Sequence, residues 1–309
     1  MTASTSKSRV AYIAESSYGT TPATPTFKTF RRTSGQMAHN KGVIESREIN
    51  LDRNIREVYQ VAHDVAGTYE FEASHETLED FIEGALMSAW STNSATVGNT
   101  QFPFTIEETI DLGGGSFSYL RYLGCLIDRL ELSVNARGAM TGSVSFIGQQ
   151  MQDPATSIIS GATYTAANAE AIYTADTVAS LVIHSLSPVP VLKSFNISIE
   201  NNIRLREQIG SLYTLQPGEG QCKISGNFEA YYPSGALKQA ILDHDSGEIS
   251  FNIGSTTNKK LTFDMGSAQL LEGPVNLGGA DDDVMVSASF QGVYNSSDTS
   301  SLVISRDVA

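Results

Sequence analysis

The sequence predicts a mainly β protein made of two tandem modules, each covered by one helix. Three observations predict it. Apolar residues alternate with period two over much of the chain, glycine and proline turns punctuate the alternation, and landmarks of the first half recur in order in the second. The reading divides the chain into an extended N-terminal arm (1–42), a first module (43–150), a connector (151–179) and a second module (180–309).

The arm carries Lys7, Arg9, Lys28, Arg31, Arg32 and Lys41 against Glu15 alone. Its Gly19-Thr20-Thr21-Pro22-Ala23-Thr24-Pro25 stretch has two prolines and no helical spacing. It reads either as a solvated tail or as a basic arm docking on the acidic surface of a neighbouring identical chain. Beyond it, Ile49, Leu51 and Ile55 share one face of an expected strand, as do Tyr69, Phe71 and Ala73. Leu130, Leu132 and Val134 alternate in the same way, then Leu261, Phe263 and Met265, then Val284, Val286, Ala288 and Phe290. Turns are expected at Gly113-Gly114-Gly115, Ala136-Arg137-Gly138, Pro217-Gly218 and Gly278-Gly279.

Two segments keep helical spacing instead. Leu78, Phe81, Ile82, Ala85, Leu86, Ala89 and Trp90 form an apolar stripe, with Thr77 and Asp80 as a capping pair. A shorter stripe runs through Leu237, Ala240, Ile241 and Leu242.

The repeat is read from four landmarks. Ser46–Arg56 lies on Ser194–Arg204 at a constant offset of 148 residues, which makes Arg56 and Arg204 equivalent. Phe71-Glu72-Ala73 then lies on Phe228-Glu229-Ala230, each copy enters its helix, and Ser145–Gly148 matches Ser289–Gly292. The connector, rich in Ala, Thr and Ser, is expected to be a long loop or an edge hairpin.

Composition narrows the function. The chain has 309 residues, 40% hydrophobic and 17% charged, enough for two cores. A net charge of −14 is unsuited to gripping a phosphate backbone. Cys125 and Cys222 are the only cysteines, so a disulfide scaffold and a cysteine-rich metal site are both excluded. The N-terminal stretch lacks the apolar core of a signal peptide and no run reaches membrane-span length, so a soluble chain folding in the cytosol is expected.

Catalytic chemistry is thin. His63-Asp64, Ser74-His75-Glu76 and Asp243-His244-Asp245 are the tight polar clusters with histidine, and all read as surface residues. Ser74 and His75 are adjacent, so their side chains diverge on a strand end, and no nucleophile elbow is present. Asp243–Glu248 lacks the rest of the twelve-residue calcium pattern, Asp281-Asp282-Asp283 reads as an acidic hairpin turn facing water rather than a divalent-ion site, and Gly113–Gly115 lacks the Lys-Ser or Lys-Thr of a phosphate loop. No enzyme, cofactor or metal is expected. An acidic, duplicated β protein with free strand edges points to self-assembly, since heterologous contacts between identical chains close into rings.

A family resemblance supports that direction. Glu15-Ser16-Ser17-Tyr18-Gly19-Thr20-Thr21-Pro22 and Phe30-Arg31-Arg32-Thr33-Ser34-Gly35 resemble the opening of the tail tube proteins of long-tailed, non-contractile bacteriophages. Ser46-Arg47-Glu48-Ile49, Asp52-Arg53, Gly67–Ala73, Gly84–Trp90 and Tyr122–Ile127 are similar to the same family, most strongly over 10–150. The resemblance implies a β-sandwich or barrel with a flanking helix, joined edge to edge into stacked rings that conduct the genome. Related tubes have six modules per ring. A two-module chain then needs three copies with pseudo-sixfold symmetry, the alternative being six chains. The implied partners are further copies, the tape-measure, tail-terminator and distal-tail proteins, and DNA that passes without specific binding.

An acidic bore keeps phosphates off the wall within a Debye length of about 8 Å. Glu48, Asp52, Glu70 and Glu200 are the lumen candidates, and Arg31, Arg32, Arg56 and Arg204 the inter-subunit candidates. A virion adhesin or carbohydrate-binding protein is the other functional class, although a single Trp and 8% aromatics offer few sugar platforms. A secreted hydrolase is a third class, opposed by the missing signal peptide and catalytic constellation.

Overall fold

The computed structural model describes residues 3–232, 234–244 and 246–307. In the first half, β1 (Ser8–Ala14) and β2 (Thr26–Thr29) precede a long hairpin of β3 (Arg32–Glu45) and β4 (Val58–Glu72). Helix α1 (Glu79–Leu86) and β5 (Ser94–Thr96) follow. Then come β6 (Phe104–Gly113), β7 (Ser116–Asn135), β8 (Thr141–Gly148), β9 (Gln150–Met151) and β10 (Thr163–Thr165). The second half opens with β11 (Val178–Ile183), β12 (Leu192–Glu200), β13 (Arg204–Arg206), β14 (Leu215–Gly218) and β15 (Lys223–Tyr231). Helix α2 (Gly235–Asp243) leads to β16 (Ser246–Ile253) and β17 (Lys260–Glu272). The chain closes with β18 (Val275–Asn276), β19 (Met285–Gly292) and β20 (Val303–Asp307).

The halves have one topology. Hydrogen-bonded order in the first is β3–β4–β8–β7–β6–β1. In the second it is β12–β15–β19–β17–β16–β11. All these pairings are antiparallel, and in each half a helix follows the second strand. β7 bends from one layer to the other: its first part pairs with β6, its second with β8. The two layers face each other across the core, where Phe104 of β6 meets Phe146 of β8 edge-on. Phe195 of β12 and Phe251 of β16 do the same at 4.7 Å in the second half. Helix α1 places Phe81 among Tyr12, Phe30, Phe71, Phe104 and Phe146, closing one end of the first sandwich.

β7 and β12 join the halves. Arg129–Asn135 pairs antiparallel with Ser194–Glu200, so the layers containing β8 and β15 form one sheet of eight strands, β3–β4–β8–β7–β12–β15–β19–β17. Asn201, buried at the end of β12, strengthens the joint. Its amide donates to the Ala85 carbonyl (2.9 Å), in the last turn of α1, and to the Ile127 carbonyl (2.8 Å).

Several expectations are corrected by this structure. The described part of the expected arm is largely extended, but it belongs to this chain's own core: β1 pairs with β6 along its whole length, and Val10, Ala11, Tyr12, Phe27 and Phe30 are buried. Residues 46–56 are not a core strand but the tip beyond the β3–β4 hairpin, with Ile49 and Leu51 fully exposed. The 148-residue offset is therefore a chance match, because its second member, Ser194–Glu200, is the buried strand β12. α1 ends at Leu86, where Met87 turns left-handed at φ 51°, so Ala89 and Trp90 lie outside it; Trp90 folds back, its indole N–H on the Glu79 carbonyl (3.3 Å). Leu78, not Thr77, is the α1 N-cap, while Ser234 caps α2 by accepting from the Ala236 N–H. Pro217-Gly218 lies in β14 rather than in a turn. Ser74 and His75 are buried, not on the surface, and Ser74 shares a hydrogen bond with Thr77 at 2.6 Å. Asp245 of the Asp243-His244-Asp245 cluster lies outside the described residues.

Asn201→Ala removes two donors and leaves two buried carbonyls without partners across the joint. The expected loss is about 2–3 kcal/mol, read from the midpoint of urea unfolding, and Asn201→Asp is expected to give a similar loss.

Candidate functional site

The structural repeat shows what the chain keeps. Register at corresponding pairings gives three offsets: 160 residues for β3 onto β12 (Ser34 to Ser194), 159 for β4 onto β15 (Glu70 to Glu229) and 144 for β8 onto β19 (Ser143 to Ser287). β6 and β7 fall on β16 and β17 at 143 (Ile106 to Ile249, Tyr122 to Met265), an offset that continues into β18 (Leu132 to Val275). The bulges recur too. The register shifts at Arg32/Ser34 and Leu192/Ser194, at Phe104/Ile106 and Gly247/Ile249, and at Ile127/Arg129 and Leu270/Glu272. A bulge sets local twist and register, so the two half-sheets share one curvature.

The eight-stranded sheet has one core face and one polar face. Tyr69, Val144, Leu130, Ile197, Phe228 and Ala288 point into the core. The alternate positions carry Thr68, Glu70, Ser143, Glu131, Asn196, Ser225 and Gln291, none of them fully buried. On this face Ser34 donates to Glu70 (2.5 Å), Asn196 donates to Glu131 (2.6 Å) and Arg129 pairs with Glu200. That bond to Glu200, the largest cause, raises the Arg129 pKa above its ordinary value.

The candidate residues separate. Glu70 and Glu200 lie on the polar face, whereas Glu48 and Asp52 sit in the hairpin tip, where there is no sheet for them to line. Arg56 pairs with Asp52 inside that tip. Arg204 reaches the Glu219 carbonyl (3.0 Å) in the folded loop after β12, so the expected equivalence of Arg56 and Arg204 does not hold. Arg31 is committed within the chain, donating to Ser74 (3.2 Å), Asn168 (3.0 Å) and the Glu170 carbonyl (2.7 Å). It staples the connector beside a cavity of about 820 Å³ with a mixed polar and apolar lining. Arg32 donates to Ser8 (2.5 Å) and to the Gly35 carbonyl (3.3 Å), at the outer edge of β3.

Both ends of the eight-stranded sheet are open among the described residues: β3 pairs only with β4, and β17, whose first part pairs with β16 and β20, runs on into β18, which pairs only with β19. The far end of the β3–β4 hairpin shows Val43, Ile44 and Val58 to solvent, and the tip beyond it Ile49, Leu51 and Ile55. Its counterpart in the second half, residues 201–222, instead folds onto the first half. There the His63 N–H meets the Leu212 carbonyl (2.9 Å), and Gln149 meets the Thr214 carbonyl (3.0 Å). Burial, then the nearby His39 and Lys41, lowers the His63 pKa, and its ring lies tilted against those of His39 (3.9 Å) and Tyr213 (5.0 Å).

Sequence reasoning missed Glu108. It stands in phase with the core residues Ile106 and Phe104, a carboxylate where alternation calls for an apolar side chain. Its oxygens accept from the Met37 N–H (3.0 Å), Tyr69 (2.6 Å) and Tyr122 (3.3 Å). Burial first, and Glu108 second, raises both tyrosine pKa values far above the phenol range, so both hydroxyls stay donors.

A duplicated sandwich with a polar sheet face, open edges and an apolar tip is the form of an assembling subunit. The phage tail tube protein family model matches residues 5–292. The chain belongs to that family. It is accordingly a structural component of the virion tail tube. No curated protein matches the chain. Among the described residues, no group of three or more His, Cys, Asp or Glu is placed to hold a metal, and no helix is long and apolar enough to cross a membrane.

Arg31→Met is expected to leave the fold intact while freeing the connector. Amide exchange should rise over residues 168–173, with an accompanying stability loss of about 1–3 kcal/mol from the unpaired acceptors.

Proposed function

We propose that three copies of this tail tube protein close into a ring with pseudo-sixfold symmetry, whose stacked copies form the conduit for genome ejection in a long-tailed, non-contractile phage. The carrying observation is the β7–β12 ladder, in which one half-sheet already joins a second half-sheet of the same topology. Repeating that joint from β17–β18 of one chain to β3 of the next closes the set. Eight strands per chain give 24 for three chains, and at about 4.8 Å per strand a barrel about 37 Å across before tilt. That leaves room for a DNA duplex. Six chains double the width and remove the wall from the reach of its charges.

The second layer and the helices take the larger outer circumference, so the polar face lines the bore. Glu70 and Glu131 then repel phosphates, Glu200 is offset on the same face by Arg129 and Lys223, and Ser, Thr, Asn and Gln fill most of the remaining positions. The subunit acts as a wall rather than an enzyme. It assembles in the host cytoplasm between terminator and distal-tail proteins, around a tape-measure protein that the genome later replaces. The exposed tip of the β3–β4 hairpin supports stacking: apolar side chains such as Ile49 and Leu51 gain burial only against another ring.

Negative-stain micrographs of concentrated protein, rotationally averaged, are expected to show open rings of three chains. Six chains per ring, or closed particles without a bore, overturn the reading. Ile49→Asp with Leu51→Asp is expected to keep the unfolding midpoint and the rings while abolishing stacks, seen as loss of tubes in the same micrographs.

A further inference from the structure

The internal repeat provides a template for the joint between chains, and one difference between the copies shows how that joint is kept closed in the single chain. Ile197 of β12 lies opposite Leu132 of β7. Its first-copy counterpart, 160 residues earlier, is Met37 on the open edge of β3. The Met37 N–H does not bond to β4; it donates to Glu108 at 3.0 Å, so it faces the open edge. The Tyr122 hydroxyl reaches the Met37 carbonyl at 3.5 Å, and Arg32 holds the Gly35 carbonyl at 3.3 Å. On the opposite open edge, Lys238 of α2 donates to the Gly273 carbonyl at 3.0 Å. Side chains thus satisfy backbone groups that a neighbouring strand would otherwise take.

The copies differ at this point. The offsets place Glu108, Tyr69 and Tyr122 on Phe251, Phe228 and Met265, all buried and apolar. Gly35 falls on Phe195, whose ring packs on Phe251 at 4.7 Å. Where β12 has its partner strand, this corner is hydrocarbon. Where β3 has none, glycine leaves room and a carboxylate with two hydroxyls reaches the strand backbone.

We propose that the edge of β3 from Ser34 to Asn40 accepts residues 272–278 of a second copy of the chain in the register of the β7–β12 ladder, displacing Glu108 from the Met37 N–H. This deepens the ring reading and rests on it. The template sets Ser34 against Gly278, Gln36 against Asn276, Met37 against Val275 and Asn40 against Glu272. Pro274 does not spoil the new ladder. Its carbonyl accepts from the Ser287 N–H of β19, so its missing donor lies on the inner side, while Gly273 and Val275 face outward. Glu108 is an internal stand-in for the incoming carbonyl, and it holds the edge until that strand arrives.

Gln36 and Asn276 fall at a non-hydrogen-bonded position, where antiparallel Cα atoms come to about 4.5 Å and a disulfide fits. In a Cys222→Ser background, Gln36→Cys with Asn276→Cys is expected to oxidise to covalent dimers and trimers and nothing larger. Gln36→Cys with Gly278→Cys, two residues out of register, is expected to stay uncrosslinked. Ser133→Cys with Asn196→Cys, the same position within one chain, calibrates the oxidation. Rings in micrographs without the 36–276 product overturn the register and leave the ring reading standing. A chain that closes 133–196 yet neither associates nor forms 36–276 at any concentration overturns both.

The stand-in is tested by giving the first copy the side chains of the second: Glu108→Phe with Tyr69→Phe and Tyr122→Met. The concentration for half-maximal 36–276 crosslinking is expected to fall at least about ten-fold, the factor matching the loss of one charge-assisted hydrogen bond. Glu108→Gln, which keeps the shape with a weaker acceptor, is expected to lower it by a smaller factor. An unchanged or higher concentration in both variants overturns the role of Glu108.

Discussion

The pairing of Arg129–Asn135 with Ser194–Glu200 is the contact on which the rest of this structure depends. It makes one sheet from two halves that could each have been a separate sandwich, and it fixes their relative twist. Backbone ladders specify register only weakly when one face is polar and featureless. Here the core face supplies the register, through Leu130, Leu132 and Val134 against Phe195, Ile197 and Ile199. Asn201 then locks the joint to α1 from above.

What the two copies share is geometry more than sequence. Gly67 and Gly226 occupy corresponding positions, and a Cβ at either would meet a carbonyl of the neighbouring strand, that of Gln36 at 2.3 Å or Asn196 at 2.2 Å. The three recurring bulges behave alike. A residue at a bulge or a close approach is held by backbone sterics, whereas a core position accepts any side chain of suitable volume. The repeat therefore survives at glycines and register shifts while core identities drift from Tyr69 to Phe228 and from Tyr122 to Met265.

That drift explains what was legible in the sequence. Alternation found the strands around Leu130, Leu261 and Val286 because one face of each is buried in the chain itself. It also marked Ile49, Leu51 and Ile55, which alternate but are exposed, since alternation records two faces and not who covers the apolar one. β3 escaped notice for the opposite reason: most of its residues are exposed along an open edge, with Met37 alone buried. Val10, Tyr12 and Phe27 were present as core signals in the N-terminal stretch, but its lysines, arginines and prolines outweighed them in the reading. The tight 148-residue match drew on composition shared by an exposed tip and a buried strand. Of the candidate site, Glu70 and Glu200 could be reached from strand phase; Glu108 could be reached only by asking why a carboxylate stands in core phase.

Duplication within one chain also changes the assembly problem. In the proposed ring of three two-module chains, half of the six joints would be made within the chains. Those joints form at the effective concentration set by a short connection, in the millimolar range, and need no control. The other three form between chains and expose backbone edges until they do, which is where a soluble β protein risks unregulated pairing. The side chains that hold such edges should therefore be found at the joints between chains and nowhere else. The placement of Glu108, Arg32 and Lys238 at the open edges, with hydrocarbon in place of Glu108 at the closed joint, follows that division.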